Sequence, residues 1–190
     1  MATMKKLDTF WRHSNCDTAV KVCTADAVLR AKLLYGLESA QLIPSVLKRL
    51  ETFQLKVLRK ILKLDTTYIN RANSNDYVFR TVNQKIKEGG KKKEVVKFTE
   101  AYESAKRKRA TNIIKQRNSP IFKISFNGNR LRKWIFANRR VGRPRMNWTE
   151  ETVREIWNHI KKNDDRYRYK AFDGDNDDII NNIFEYAENQ

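Results

Sequence analysis

Apolar residues recur at helical spacing through most of the chain, and the breaks fall at Pro, Gly and Asn-rich stretches. Residues 18–42 predict a first long helix, with Val20, Cys23, Ala27, Leu34 and Leu37 on one face. Pro44 interrupts the chain, and Ser45 is placed to cap a second helix that runs to about Leu64. Leu47, Leu50, Val57, Ile61 and Leu64 form its apolar stripe, while Lys48, Lys56, Arg59, Lys60 and Lys63 lie largely off it. Two amphipathic helices joined by a short Pro turn predict an antiparallel hairpin.

Asn73-Ser74-Asn75 supplies turn and capping chemistry for a shorter helix with Tyr77, Val78, Val82 and Ile86 inward, which Gly89-Gly90 ends. Lys91-Lys92-Lys93 is a charged link. Thr99 opens a helix to about Gln116, with Tyr102, Ala105, Ile113 and Ile114 apolar. Residues 120–136 change period: Phe122, Ile124 and Phe126 alternate, Asn127-Gly128 signals a tight turn, and Leu131 to Phe136 resumes an extended pattern. That predicts a β-hairpin. Thr149 is the expected cap of the next helix, with Trp148 and Val153 as a hydrophobic staple and Val153, Ile156, Trp157 and Ile160 inward. Glu150 and Glu151 in its first turn, and Lys161 and Lys162 in its last, suit the helix dipole. A last helix is expected near 176–188, with Ile180, Ile183, Phe184 and Ala187 buried. The fold class is mainly α, a helical hairpin or bundle with a small β-hairpin insertion. Only six Gly and three Pro in 190 residues argue against an all-β sandwich.

Charge narrows the class of partner. The formal net charge is +18, a self-repulsion that adds nothing to stability. A polyanion explains it most simply, with nucleic acid first, through counterion release, and an anionic membrane surface second. No apolar run approaches the ~20 residues of a membrane span. The charge is uneven: residues 1–84 hold 14 basic and 7 acidic side chains, 85–145 hold 20 and 4, and 146–190 hold 6 and 11. The basic footprint is the middle third, and the acidic tail is suited to packing against it or facing a neighbouring protein. A hydrophobic fraction of 40% supports a true core and excludes wholesale disorder. Two cysteines, Cys16 and Cys23, suggest a reducing intracellular compartment, with mitochondrion or nucleus left open, and with two histidines they make no zinc pattern.

The sharpest chemical signal is Arg139-Arg140-Val141-Gly142-Arg143-Pro144-Arg145. Its four guanidiniums, Arg139, Arg140, Arg143 and Arg145, suit bidentate grips on phosphates. A minor-groove hook is a second reading, marred by Val141 where that motif wants Arg, and a solvated basic turn is the bland one. Lys106-Arg107-Lys108-Arg109 is a polyanion contact, a localisation signal or a solvated helix face. Four consecutive cations cover all sides of a helix and repel unless an anion is near. Lys56, Arg59 and Lys63 are candidates on the second helix, against the ordinary reading of a Lys-rich outer face. Phe53, Trp148, Trp157 and Phe184 read as core, whereas Trp11, Trp134 and Tyr77 are less clearly placed and keep a minor stacking reading. Asp164-Asp165 and Asp177-Asp178 read as caps and solvated turns rather than a Mg2+ site. No P-loop, nucleophile elbow or dinucleotide motif occurs, so no enzyme and no cofactor is expected.

Three blocks carry a resemblance: Leu33-Leu34-Tyr35-Gly36-Leu37-Glu38-Ser39, Arg49-Leu50-Glu51-Thr52-Phe53-Gln54 and Leu58-Arg59-Lys60-Ile61-Leu62. Together they resemble the helical thumb that follows the palm of non-LTR retrotransposon reverse transcriptases. Arg139 to Arg145 with Trp148 resembles a segment further downstream in the same family. The resemblance covers residues 5–64 and 139–157. It implies helices that hold the backbone of a template–primer duplex, and a metal-bearing palm upstream of Met1, to which Ala171-Phe172-Asp173-Gly174-Asp175 is no match. If the chain begins at Met1, it is a thumb without a polymerase.

The expected organisation is a thumb-like bundle over 1–88, a strongly basic segment over 89–145, and C-terminal helices with an acidic tail over 146–190. The expected function is non-catalytic nucleic-acid binding, to RNA first, with DNA or an RNA–DNA hybrid as other ligands. Charge and size favour a structural subunit of a large ribonucleoprotein such as an organellar ribosome. The alternatives are a thumb subunit or fragment of an active reverse transcriptase, and a protein-interaction module.

Overall fold

A computed structural model of the chain describes residues 2–128, 130–132 and 147–190. Among these the chain is mostly helical and divides into two compact units, residues 1–37 with 42–102, and 38–41 with 103–190. The division falls inside one helix, so the basic segment 89–145 is shared between the units.

The first unit contains α1 (Ala2–His13), α2 (Thr18–Leu34), α3 (Pro44–Leu62), α4 (Asn75–Glu88) and the start of α5 (Phe98–Lys115). Helix α2 ends eight residues before the expected Leu42, and a short 3-10 turn follows at Leu37–Ser39. Its buried face is Ala19, Val22, Ala25, Asp26 and Leu29, not the expected one; Val20 and Ala27 face solvent. Apolar residues fall on every side of this helix, so periodicity left two faces in competition. The one with small residues won because it admits α4 closely: a Cβ on Gly89, at the end of α4, would come within 2.6 Å of the Ala19 Cβ. Pro44 begins α3 rather than breaking the chain before it, since a first-turn Pro gives up only an amide that has no partner anyway. Leu55, Val57, Leu58 and Ile61 are buried, with Leu50 and Phe53 packed beside them. In α4, Val78, Phe79, Val82 and Ile86 are buried, while Tyr77 stays exposed. Phe79 lies three and seven residues before Val82 and Ile86, which puts it on their face.

Two amides hold the extended chain that leads into α5. The buried Gln54 donates to the Val96 carbonyl and accepts from the Phe98 amide, both at 2.8 Å. Asn83 accepts from the Val95 amide at 2.9 Å and donates to the Val95 carbonyl at 3.3 Å. These side chains stand in for the neighbouring strand that this segment lacks. Asp26, buried in α2, is satisfied by Arg30 at 2.7 Å and Lys93 at 3.2 Å.

The second unit contains the rest of α5, α6 (Pro120–Ser125), strands β1 (Phe126–Asn127) and β2 (Arg130–Leu131), α7 (Trp148–Asn163) and α8 (Asp177–Glu188). The hairpin is present as expected around Asn127-Gly128, antiparallel with Phe126 opposite Leu131, and Gly128 takes a φ of +59°. Its first arm is shorter than expected, because Ser119-Pro120 starts a helix: Ser119 Oγ accepts from the Phe122 amide at 3.1 Å. Residues 133–136 of the expected second arm lie outside the described residues. Phe122 and Phe126 stack at 5.0 Å, and Phe184 meets both edge-on. Val153, Ile156, Trp157 and Ile160 of α7 and Ile180, Ile183, Phe184 and Ala187 of α8 complete the core, as the sequence led us to expect. Asn147, not Thr149, caps α7, accepting from the Thr149 amide at 3.1 Å. Arg130 grips Asp177 with two bonds of 2.8 and 2.7 Å, tying the hairpin to the first turn of α8.

Replacing Asn83 by Ala unpairs both backbone groups of Val95, which is 2% exposed. The expected loss is ~1–3 kcal/mol in denaturant unfolding, against less than ~0.5 kcal/mol for the exposed Gln84→Ala.

Candidate nucleic-acid interface

Helix α3 buries its apolar residues on one side, so its cations emerge together on the other. At 3.6 residues per turn, Lys48, Arg49, Lys56, Arg59 and Lys60 fall within an arc of about 120°, with Thr52 between them. From Lys48 to Lys63 the stripe runs about 22 Å. Lys48, Arg49, Lys56 and Lys63 are exposed and have no carboxylate partner among the described residues. Lys60 pairs with Asp8 at 2.5 Å. That hydrogen bond, helped by Arg12, holds the Asp8 carboxyl below the usual carboxylate range.

Arg59 departs from expectation. It is half-buried, and its Nη2 donates to the Asn73 carbonyl at 3.1 Å and to Asn75 Oδ1 at 2.9 Å. Its guanidinium fastens the following loop to α3 instead of standing ready for phosphate. Lys63 caps the helix in the left-handed region, φ 56° and ψ 39°, with the Leu64 amide donating back to the Arg59 carbonyl at 2.9 Å. Helices commonly place Gly there, and a side chain costs ~1 kcal/mol or more. Lys63 therefore puts a cation at the end of the stripe at the expense of backbone strain.

The α5 cluster comes apart. Tyr102, Lys106, Ala110 and Ile114 are spaced four apart and form the inner row of the helix. Lys106 is completely buried; its ammonium donates to Gln41 Oε1 and, at 3.1 Å, to Glu155 Oε1. It has no face to offer a phosphate and leaves the candidate set, while Ala105, expected inward, is exposed. Arg109 lies 3.7 Å from Glu38. Arg107 and Lys108 remain without a carboxylate among the described residues. The protein's own Glu155 and Glu38 thus relieve part of the repulsion that four adjacent cations create. Beside Arg107, His159 is held below its ordinary pKa, first by burial and then by the charges of Arg107 and Lys162.

The loop residues Arg139, Arg140, Arg143 and Arg145, and Trp134, lie outside the described residues. Trp11 is buried at 6% exposure in the core of the first unit. Trp148 packs against the separate core of the second unit, its Nε1 donating to the Glu38 carbonyl at 3.0 Å. Asp164 accepts from the Arg166 amide and guanidinium, and Asp177 from Arg130, which lowers the pKa of both. Among the described residues no three His, Cys, Asp or Glu gather as a metal site would require, and no helix is long and apolar enough to cross a membrane.

Sequence reasoning counted Lys48 among the off-stripe cations of this helix and named Lys56, Arg59 and Lys63 as candidates, but passed over Arg49. The signal was helical spacing: Arg49 lies seven residues before Lys56, two turns away on the same face. No protein-family model, curated protein or solved structure matches this chain.

Lys63→Gly separates the backbone strain at the capping residue from its candidate role in binding. It is expected to raise stability by ~1 kcal/mol in denaturant unfolding, by removing the left-handed strain, while weakening binding to duplex RNA. A variant that gains stability and binds RNA as before would take Lys63 out of the interface.

Proposed function

We propose that this chain binds the phosphate backbone of RNA without catalysing a reaction, and that it serves as a structural subunit of a large ribonucleoprotein such as an organellar ribosome. The observation that carries the binding is the α3 stripe: four exposed cations on one face of a helix, with no carboxylate among the described residues to neutralise them. Such a face is costly to keep unpaired, and it releases counterions when phosphates replace them. Arg107 and Lys108 add a second basic place in the other unit. DNA and RNA–DNA hybrids present the same backbone, and the preference for RNA rests on the ribonucleoprotein reading. That reading rests on small size, a net charge of +18 and an acidic C-terminal segment suited to a neighbouring protein.

A second reading draws on α3 itself. Two of the three blocks that resemble a reverse transcriptase thumb lie in this helix, and a thumb holds a template–primer duplex by its backbone. On that reading the same stripe faces an RNA–DNA hybrid.

Binding of a short RNA duplex should weaken linearly on a log–log plot against salt. Replacing Lys48, Arg49, Lys56 and Lys63 together by Ala should flatten that slope by about 0.7–0.9 for each phosphate the variant no longer neutralises. An unchanged slope removes α3 from the interface. Sedimentation of the endogenous protein with and without ribonuclease tests the setting. Co-migration with a large particle that ribonuclease collapses is expected. Migration as a free species, with tighter binding to a hybrid than to duplex RNA, assigns the thumb reading instead.

A further inference from the structure

Just beyond Lys63, residues 65–73 form a loop that is braced throughout. The Ile69 and Asn70 amides both donate to the Thr66 carbonyl at 3.0 Å, and the Ala72 amide to Asn70 Oδ1 at 3.0 Å. Asn73 is buried, and its side chain donates to the Asp65 carbonyl at 3.0 Å, closing the loop on itself. Arg59 then ties the Asn73 carbonyl back to α3. All these bonds hold out two apolar side chains: Tyr68 is 97% exposed and Ile69 71%. Neither adds to the core, and burial is what apolar side chains ordinarily gain by folding. Lys63 precedes Tyr68 by five residues and Arg71 follows it by three; both are exposed, and neither has a carboxylate partner among the described residues.

We infer that Tyr68 is a stacking platform for an unpaired nucleobase at the end of the duplex held by α3, with Ile69 beside it and Lys63 and Arg71 on the flanking phosphates. The inference rests on the backbone-binding reading of the stripe and adds the class of nucleic acid: a duplex that ends in a single strand. The loop backbone is already fixed, so stacking costs only the ring's own side-chain torsions, and every base offers a π-face, so the platform needs no particular sequence. The adjacent cations argue for a nucleotide rather than an apolar partner, since a protein that covered Tyr68 and Ile69 would also have to answer Lys63 and Arg71.

The test uses two RNA ligands, a blunt duplex and the same duplex with a single-stranded extension whose first unpaired base is 2-aminopurine. The full chain is expected to bind the extended ligand more tightly and to change the 2-aminopurine fluorescence. Tyr68→Ala should reduce affinity for the extended ligand about 5- to 150-fold. Its affinity for the blunt duplex and its salt slope should stay unchanged, and Tyr68→Phe should behave as the parent. Because the Tyr68 side chain stands almost wholly in solvent, matching thermal unfolding of the variants excludes a folding defect. If Tyr68→Ala binds both ligands as the parent does, the platform is overturned while the α3 stripe stands on its own salt slope. If the parent binds neither ligand, both readings fall.

Discussion

The burial of α3 along one side is the constraint on which the rest depends. Val57, Leu58 and Ile61 are nearly inaccessible, and the core that covers them also takes in Val22 of α2 and Val82 and Ile86 of α4. Gln54, on the same buried side, fixes the chain before α5 through two backbone bonds. A helix held this way has a single sector left for polar residues, and the sequence fills that sector with cations. Because the backbone that carries these charges is already fixed, they lose only side-chain freedom on meeting a phosphate backbone, whereas lysines on a flexible tail lose backbone freedom as well. The proposed binding face is thus a consequence of how the core is packed.

The second unit shows the opposite use of a cation. Lys106 lies in the inner row of α5, and its ammonium is satisfied by Gln41 and Glu155. A buried pair of this kind is poor evidence of net stabilisation, because desolvation offsets much of the attraction. Its effect here is to specify which side of α5 turns inward, leaving Lys108 outside. Basic residues that look alike in a run therefore divide into structural and available ones, and the division follows helical position rather than composition.

Much of the fold was legible because its signals were local: the Ser74 cap, Gly89-Gly90, the Asn127-Gly128 turn, and the apolar faces of α7 and α8 all appear where they were expected. Two of the failures share a cause. Helix α2 has apolar residues on every side, and Lys106 sits in an apolar row, so in both places a neighbour in space decided the outcome. The alternation of Phe122, Ile124 and Phe126 was outweighed by Ser119-Pro120, a helix start that acts within one turn. At the candidate site, Lys56 and Lys63 were readable as off-stripe cations. Arg59 was not, because its partners lie 14 and 16 residues away, Asn73 in the loop and Asn75 at the start of α4. The resemblance to a reverse transcriptase thumb remains a proposal about origin; the account of binding rests on the charges themselves.

The most direct test of the central claim is lysine acetylation read by mass spectrometry, with and without a saturating RNA duplex. Lys48, Lys56 and Lys63 should react readily in the free protein and be protected by RNA, while Lys85 and Lys87 on α4 react equally in both samples and the buried Lys106 in neither. Stripe lysines that stay reactive in the complex, or protection spread evenly over every exposed lysine, would contradict it.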